Sequence, residues 1–406
     1  RTLTKLDKEN ILNKNDELAK KALRILALAY RPINEQKKYT IDSVEKELIF
    51  IGLVGMIDPP RDEVREAIKQ CQDAGIKVMI ITGDHAVTTK AVAQQIGLFK
   101  KDDIVLTGAD VEKMSDSELE RKIEKIRIIA RALPIQKSRI VEILQKKGHI
   151  VAMTGDGVND APALKKSNIG IAMGITGTDV AKEVSKATLT DDNFATIVNA
   201  ISEGRNIYNT LIRSAKFFLM CNAGEITTVM IAIFLGFPLP LLPLQILMMN
   251  ILTDNLPALG LGFESGEKGI MKQPPRDPKA KPLTKGIILS IILFGLIMGG
   301  GTFFMFTQYL DFSIEKAQTV AFTTLVMFQM FAVFSSRSFK LSLEKLNPFT
   351  NLWLLGAVFL SITLHAIVIY WHPMQLAFGT VPLLLIDWLK IVAISSIGFF
   401  MMEASK

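Results

Sequence analysis

Two architectures in series are predicted: an α/β, doubly wound parallel sheet, and after it an all-α, six-helix transmembrane bundle. Three features predict them. Up to about Arg213 the chain is rich in Lys, Glu and Asp, and beyond it long stretches carry almost no charge. From Ile49 to about Asp192, short β-branched runs alternate with helical patterns, as strands and helices do around a parallel sheet. After Arg213 come six apolar stretches of about 20 residues, each long enough to cross a hydrocarbon core of about 30 Å. A hydrophobic share of 49% over 406 residues suits such a split and neither half alone.

The chain opens at Arg1 in a charged stretch, without Met or an apolar targeting segment, and reads as a fragment or cleaved product. Residues 1–48 hold one helical pattern, over 16–30, with Leu18, Ala22, Ile25 and Ala29 at helical spacing. That is too little for a core of its own, so this segment is expected to complete another domain. In 49–213 the expected strands are 78–82, 126–130, 150–154 and 169–173, with helices near 62–74, 86–96 and 135–147. In 214–406 the expected spans are 216–237, 241–262, 287–308, 317–336, 352–371 and 381–402.

Charge orients the bundle. Lys268, Lys272, Arg276, Lys279, Lys281 and Lys285 follow the second span, Arg337, Lys340 and Lys345 follow the fourth, and the opposite loops offer only Lys316. The positive-inside rule then places residues 1–213 and both ends of the bundle in the cytosol, the bundle lying in a lipid bilayer; the short loops suit a bacterial plasma membrane. The net charge of +7 is read as this topology, not as nucleic-acid binding. Cys71 and Cys221 lie in different environments, which excludes a disulfide framework.

Two polar constellations carry chemistry. In the first, Thr154-Gly155-Asp156-Gly157-Val158-Asn159-Asp160 follows an apolar strand and opens a helix, where ligands of doubly wound sheets gather. Its glycines allow a sharp turn, and Asp156 and Asp160 bring two carboxylates together, which favours a hard divalent cation, Mg2+ where phosphate is near. Thr82-Gly83-Asp84 is a second such turn, offering a hydroxyl and N–H groups to phosphoryl oxygens. Lys137, opening a helix after Pro134, is placed to neutralise the same charge.

The second constellation lies inside the spans, where ionisable side chains are costly. Glu225 stands three residues after Asn222, and Asn250 and Asp254 share a helix face with Thr253 adjacent, so oxygen-bearing side chains can converge between neighbouring helices. Pro257 removes a backbone hydrogen bond nearby. Oxygen ligands and two negative charges point to Ca2+ before transition metals. His365 is expected to be packed or hydrogen-bonded, Asp387 and Lys390 to form a local ion pair, and Gly299-Gly300-Gly301 to permit close helix packing.

Residues 52–192 resemble the phosphorylation domain of P-type ATPases, within the haloacid-dehalogenase superfamily, through Met56-Ile57-Asp58-Pro59-Pro60-Arg61, Thr82-Gly83-Asp84, Lys137-Ser138-Arg139 and the run from Thr154 to Leu164. The resemblance implies that Asp156 holds Mg2+, that Asn159 and Asp160 complete its surroundings, that Thr82, Gly83, Asp84 and Lys137 serve the phosphoryl group, and that Asp58 and Arg61 lie at the hinge to the nucleotide domain. Leu23 to Ala29 resembles the end of that domain, where Arg24 would meet an ATP phosphate. The organisation implied is 1–48, end of the nucleotide-binding domain; 49–213, phosphorylation domain and stalk helix; 214–406, transmembrane domain.

Asn222-Ala223-Gly224-Glu225 and the run from Asn250 to Ala258 resemble the fifth and sixth membrane helices of the calcium-pump branch, supported by Pro274-Pro275-Arg276 and Asn351-Leu352-Trp353-Leu354-Leu355. By that resemblance Asn222, Glu225, Asn250, Thr253 and Asp254 are cation ligands, and Gln329 stands where two-site reticulum pumps carry Glu. The implied activity is ATP-driven export of Ca2+ through an aspartyl phosphate, with Mg2+ and ATP as cofactors and residues 202–214 as a helix passing movement to the ligands. The family's Asp-Lys-Thr-Gly nucleophile, Thr-Gly-Glu loop and Pro-Glu-Gly motif do not occur here. The resemblance assigns them to a preceding half (actuator domain, membrane helices 1 to 4, nucleotide domain) in the same or a separate chain. The rival readings are a pump for Mn2+ or another cation, a membrane-anchored dehalogenase-type phosphatase, and a silent membrane subunit.

Overall fold

A computed structural model describes residues 3–33, 40–57, 59–267, 269–339 and 341–404, so Asp58, Lys268 and Lys340 lie outside the described residues. The chain divides into two compact units, Arg1–Ser202 with Gly269–Pro278, and Glu203–Lys268 with Lys279–Lys406.

The first unit opens with a helix, Lys5–Ala19, begun by a capping box in which Thr4 Oγ1 accepts from Asp7 N–H (3.1 Å) and Asp7 Oδ2 from Thr4 N–H (2.9 Å). The turn after it closes at Ala22, whose φ of 63° no α-helix continues. Strand β1 (Arg24–Tyr30) follows and pairs antiparallel with β2 (Ile49–Met56). The helix predicted over 16–30 is therefore a correction. Leu18 belongs to the last turn of an earlier helix, whereas the apolar run from Leu23 satisfies its backbone groups along β2, a partner that local spacing does not reveal. Both strands leave large apolar side chains in the open, among them Leu26, Leu28, Ile49 and Ile51.

The remaining strands are parallel and form two three-stranded sheets: β3 (Ile80–Ile81), β4 (Ile104–Thr107) and β5 (Ile126–Ala130) in the order β3-β5-β4, then β6 (Ala152–Gly155), β7 (Ile169–Met173) and β8 (Ala187–Leu189) in that order. The central strands read as continuous apolar runs because both faces are covered. Ile126, Ile128 and Ile129 of β5 are fully buried, each burial contributing about 1.5–3 kcal/mol. The expected helices appear as Asp62–Asp73, Ala86–Gln95 and Pro134–Lys146. The strand expected over 78–82 is shorter, and the one over 150–154 is displaced by two residues.

In the second unit, five of the six predicted spans are single helices long and apolar enough to cross a membrane: Phe194–Phe234, which begins in the first unit, Lys285–Leu310, Ile314–Ser335, Leu352–Tyr370 and Leu385–Ala404. The span predicted over 241–262 is broken into Pro243–Met248, one π turn at Met249–Thr253, and Asn255–Gly262. Pro257 removes the N–H that an α-helix would aim at the Thr253 carbonyl, and Asn255 Nδ2 donates to the loosened Asn250 carbonyl at 2.6 Å. Of the three glycines expected to permit close packing, Gly299 and Gly301 do, while Gly300 faces open space. A Cβ on Gly299 would come within 2.5 Å of Thr227 Cβ, and one on Gly295 within 2.5 Å of Ala223 Cβ. His365 is buried with Nε2 3.1 Å from Thr323 Oγ1. The Asp387–Lys390 pair is a second correction: Asp387 binds Lys316 Nζ (3.2 Å) and accepts from Tyr309 O–H (2.8 Å), while Lys390 lies over the Tyr309 ring. Contact with a neighbouring helix prevails here over the local turn.

Candidate functional site

In the first unit the carboxyl ends of β3, β6 and β7 open onto a cleft of about 440 Å3. Ile81 and Thr82 line it from β3, Thr154, Gly155 and Asp156 from β6, and Met173 from β7. Each turn is fixed by backbone bonds: Thr82 N–H donates to Ile129 O (2.9 Å), and Arg131 N–H to Asp84 O (3.0 Å). The Asp84 carboxylate accepts from Thr82 O–H at 3.1 Å. Gly155 has no room for a side chain, since a Cβ there would meet Asp160 Cβ at 2.5 Å. That close approach seats Asp160, which is buried and accepts from Lys137 Nζ at 2.6 Å.

Thr82, Lys137, Asp156 and Asp160 thus share one cleft, with Arg61 at its edge. Gly83, Asp84 and Asn159 adjoin it in sequence without lining it. Arg24 sits exposed on β1 opposite Met56 and is not among its lining residues. From Thr82, Lys137, Asp156 and Asp160 alone the cleft therefore has two carboxylates, an ammonium group and a hydroxyl, a donor set able to hold a hard cation and a phosphoryl group together.

Sequence reasoning missed one wall of this cleft, formed by Thr176 and Asp192. Asp192, at φ 49°, turns its carboxylate onto the loop after β7 and accepts from the N–H groups of Gly174 (2.6 Å), Ile175 (3.0 Å) and Thr176 (2.8 Å) and from Thr176 Oγ1 (2.8 Å). Burial alone would raise this carboxyl, but the bonds from Ile175, Thr176 and Gly174 outweigh it and hold it down at about 2. A depressed carboxyl contributes stability above its unfolded value of about 3.9 and loses it as pH falls through the folded value. Asp192→Ala should therefore flatten the drop in unfolding temperature between about pH 4 and pH 2. Acid titration of the full chain by circular dichroism checks this, and parallel curves for the two proteins would refute it.

The second constellation gathers around the broken helix. Glu225 is buried, its Oε2 accepting from Asn250 Nδ2 (3.2 Å) and its Oε1 from Gln329 Nε2 (3.4 Å). Thr253 O–H donates to Gln329 Oε1 at 2.9 Å. Asp254, 1% exposed, accepts no hydrogen bond from a nitrogen or oxygen donor on either carboxylate oxygen, and only the Cys221 thiol, a weak donor, faces it. Asn222 instead donates to Phe218 O of its own helix, at 2.8 Å. The structure so brings together Glu225, Asn250 and Thr253, with Gln329 as the bridge, beside a bare carboxylate at a helix break. An ionised carboxylate buried beside so weak a donor costs several kcal/mol, a cost that a cation held among these oxygens would offset.

Comparison with known proteins shows the family. Residues 10–168 match the family described as haloacid dehalogenase-like hydrolase, and residues 238–406 the family described as cation transporting ATPase, C-terminus. The chain is 46% identical over 391 residues to a calcium-transporting ATPase of Bacillus subtilis, covering 96% of this chain and 44% of that protein. It is 40% identical over 422 residues to calcium-transporting ATPase 1 of Bacillus cereus, covering 100% of this chain and 47% of the relative. An endoplasmic reticulum-type calcium-transporting ATPase 3 of Arabidopsis thaliana is 36% identical over 409 residues, 92% of this chain and 41% of its own length. The chain belongs to the P-type cation-transporting ATPases. It spans about half the length of the curated relatives it matches. For this P-type ATPase chain, the haloacid-dehalogenase-like fold corresponds to the parallel sheets of the first unit and the transmembrane bundle to the apolar helices of the second.

Proposed function

We propose that the chain supplies the phosphoryl-transfer cleft and the cation path of an ATP-driven Ca2+ pump that works through an aspartyl phosphate carried by the rest of the protein. The observation that carries this reading is Asp254, a buried carboxylate faced by no donor stronger than the Cys221 thiol, set beside Glu225 where a membrane helix breaks. Ca2+ as cargo fits the oxygen-only donors of Glu225, Asn250, Thr253 and Asp254, with Asn222 reaching the site by a change of rotamer. Gln329, neutral and already bonded to Glu225 and Thr253, adds no third charge.

In the cleft, Asp156 and Asp160 would hold Mg2+, which screens charge on a phosphoryl group. Lys137 holds Asp160 in place and offers its remaining N–H groups to phosphoryl oxygens, and the Thr82 hydroxyl and the N–H groups of Gly83 and Asp84 orient that group. Asp58 and Arg61 serve the hinge to a nucleotide domain that residues 1–48 help complete, with Arg24 directed at ATP. The exposed apolar side chains of β1 and β2 support this, because a lone two-stranded ribbon is marginal and calls for a cover. The single helix Phe194–Phe234 carries movement between chemistry and Glu225, and the basic loops face the cytosol.

The test is ATP hydrolysis by the complete protein, in liposomes, against Ca2+, Mn2+, Na+ and K+. Ca2+ should stimulate turnover most, and Glu225→Gln should remove the stimulation. Hydrolysis indifferent both to Ca2+ and to Glu225→Gln would replace the pump with an anchored phosphatase.

A further inference from the structure

Apart from the cleft and the cation ligands, the second unit contains a fully satisfied buried ion pair. Arg337 and Glu264 meet fork to fork, Nε to Oε2 at 2.8 Å and Nη2 to Oε1 at 2.7 Å, with the Arg337 side chain 0% exposed. The other guanidinium N–H groups reach Asn347 O (3.2 Å), Pro348 O (3.3 Å) and Thr350 Oγ1 (2.6 Å). Glu264 also accepts from Asn351 Nδ2 at 2.9 Å.

The location of this pair matters more than its strength. Glu264 lies two residues beyond the half-helix Asn255–Gly262, which starts immediately after Asp254. Arg337 lies two residues beyond the helix Ile314–Ser335, which carries Gln329. At the ligand end Thr253, in the π turn just before the half-helix, is bonded to Gln329 of the same long helix. A third tie comes from Asn351, which caps the helix Leu352–Tyr370 by accepting from Leu354 N–H and donates to Gly260 O, both at 2.9 Å. Arg213, on the helix that carries Glu225, donates to the Arg337 carbonyl at 2.5 Å.

A buried ion pair adds little net stability, because desolvation offsets attraction, but it does fix geometry. Fixed geometry is what a broken helix lacks. With the α-helical ladder loosened to a π turn at Met249–Thr253, the segment before the break holds the direction of the half-helix less firmly, and a tie at its far end adds to that hold.

We propose that Glu264 and Arg337 are positioning residues of the cation site, clamping the far end of the half-helix so that Thr253 and Asp254 are held in register with Gln329 and Glu225. The inference rests on reading those four as cation-binding.

Radiolabelled Ca2+ binding to the complete protein in nanodiscs, with unfolding temperatures measured in parallel, tests it. Disturbing a group that orients a metal ligand costs about 10- to 100-fold in affinity, and Glu264→Gln and Arg337→Lys should each weaken binding by that factor. Arg337→Lys keeps the charge but loses the fork, and it carries the test if Glu264→Gln does not fold. Asp387→Asn, which breaks the separate pair with Lys316 and Tyr309, should lower the unfolding temperature and leave the Kd unchanged. Glu264 and Arg337 variants that melt earlier yet bind Ca2+ like the wild type would make the clamp merely structural. A complete wild-type protein that binds no Ca2+ would overturn the cation reading itself, and the clamp with it.

Discussion

Asp254→Asn is expected to abolish Ca2+ binding while raising the unfolding temperature of the calcium-free chain. The two effects share a cause. The only donor facing Asp254 is the weak Cys221 thiol and the residue is 1% exposed, so the ionised group is desolvated with little compensation. Asn has nearly the same shape and no charge, which removes that penalty, of several kcal/mol per buried ion, from the empty site. It also removes one of two negative charges from a site whose affinity for Ca2+ depends on how many charged ligands it holds. The loss should exceed the about 100-fold cost of disturbing a ligand's support. Thermal unfolding with and without Ca2+ reads both effects. At 100 times Kd the wild type gains about 2.7 kcal/mol from binding, and the variant should gain nothing. Glu225→Gln makes a useful contrast: both its oxygens already accept from amides, so its new NH2 must face a donor, and the calcium-free chain should become less stable. An Asp254→Asn chain stabilised by Ca2+ as strongly as the wild type would take Asp254 out of the site.

How far the sequence was legible varied with the range of the interaction. Thr82, Asp156, Asp160 and Lys137 could be placed in one site because each belongs to a turn at the end of a strand or the start of a helix, where local chemistry dictates position. The helices Gly108–Lys113 and Asp116–Lys122 carried a signal that periodicity misses, the capping boxes of Thr107 with Asp110 and Ser115 with Glu118. Asp192 gave no comparable signal: its carboxylate serves a loop 16 to 18 residues earlier, and only the folded chain brings the two together. The strand β1 was misread as helix for the same reason, since its partner lies beyond a long connection. In the membrane region, length and hydropathy suffice for a span, and Pro257 marks a weakness in one of them. They do not reveal a π turn, nor a bond from Thr253 to Gln329 across 76 residues. Arg337, counted among the charges of a basic loop, is instead buried against Glu264, because a loop charge that finds a carboxylate, a hydroxyl and carbonyls can leave water.

Lys137→Ala in the complete pump is expected to slow phosphoenzyme formation from ATP by about 100- to 1,000-fold, the usual cost of losing one preorganised donor at a developing charge. Phosphoryl transfer depends on positioning and electrostatic stabilisation more than on covalent help, so a fixed ammonium group counts for much. Lys137 is fixed: its Nζ lies 2.6 Å from Asp160 Oδ1, with both side chains largely withdrawn from solvent. The same contact creates an ambiguity, because Lys137→Ala also leaves the Asp160 carboxylate buried without its partner and so destabilises the fold. The double variant Lys137→Ala, Asp160→Asn separates the two effects. Neutralising Asp160 should restore most of the unfolding temperature and none of the rate, since no cation returns to the cleft. The loss should fall on kcat and leave KM for ATP nearly unchanged, as expected for an interaction strengthened in the transition state while the nucleotide is held by another domain. Recovery of phosphoenzyme formation together with stability would show that Lys137 serves only to pair Asp160, and the phosphoryl contact would have to be assigned to Thr82 and the backbone N–H groups beside it.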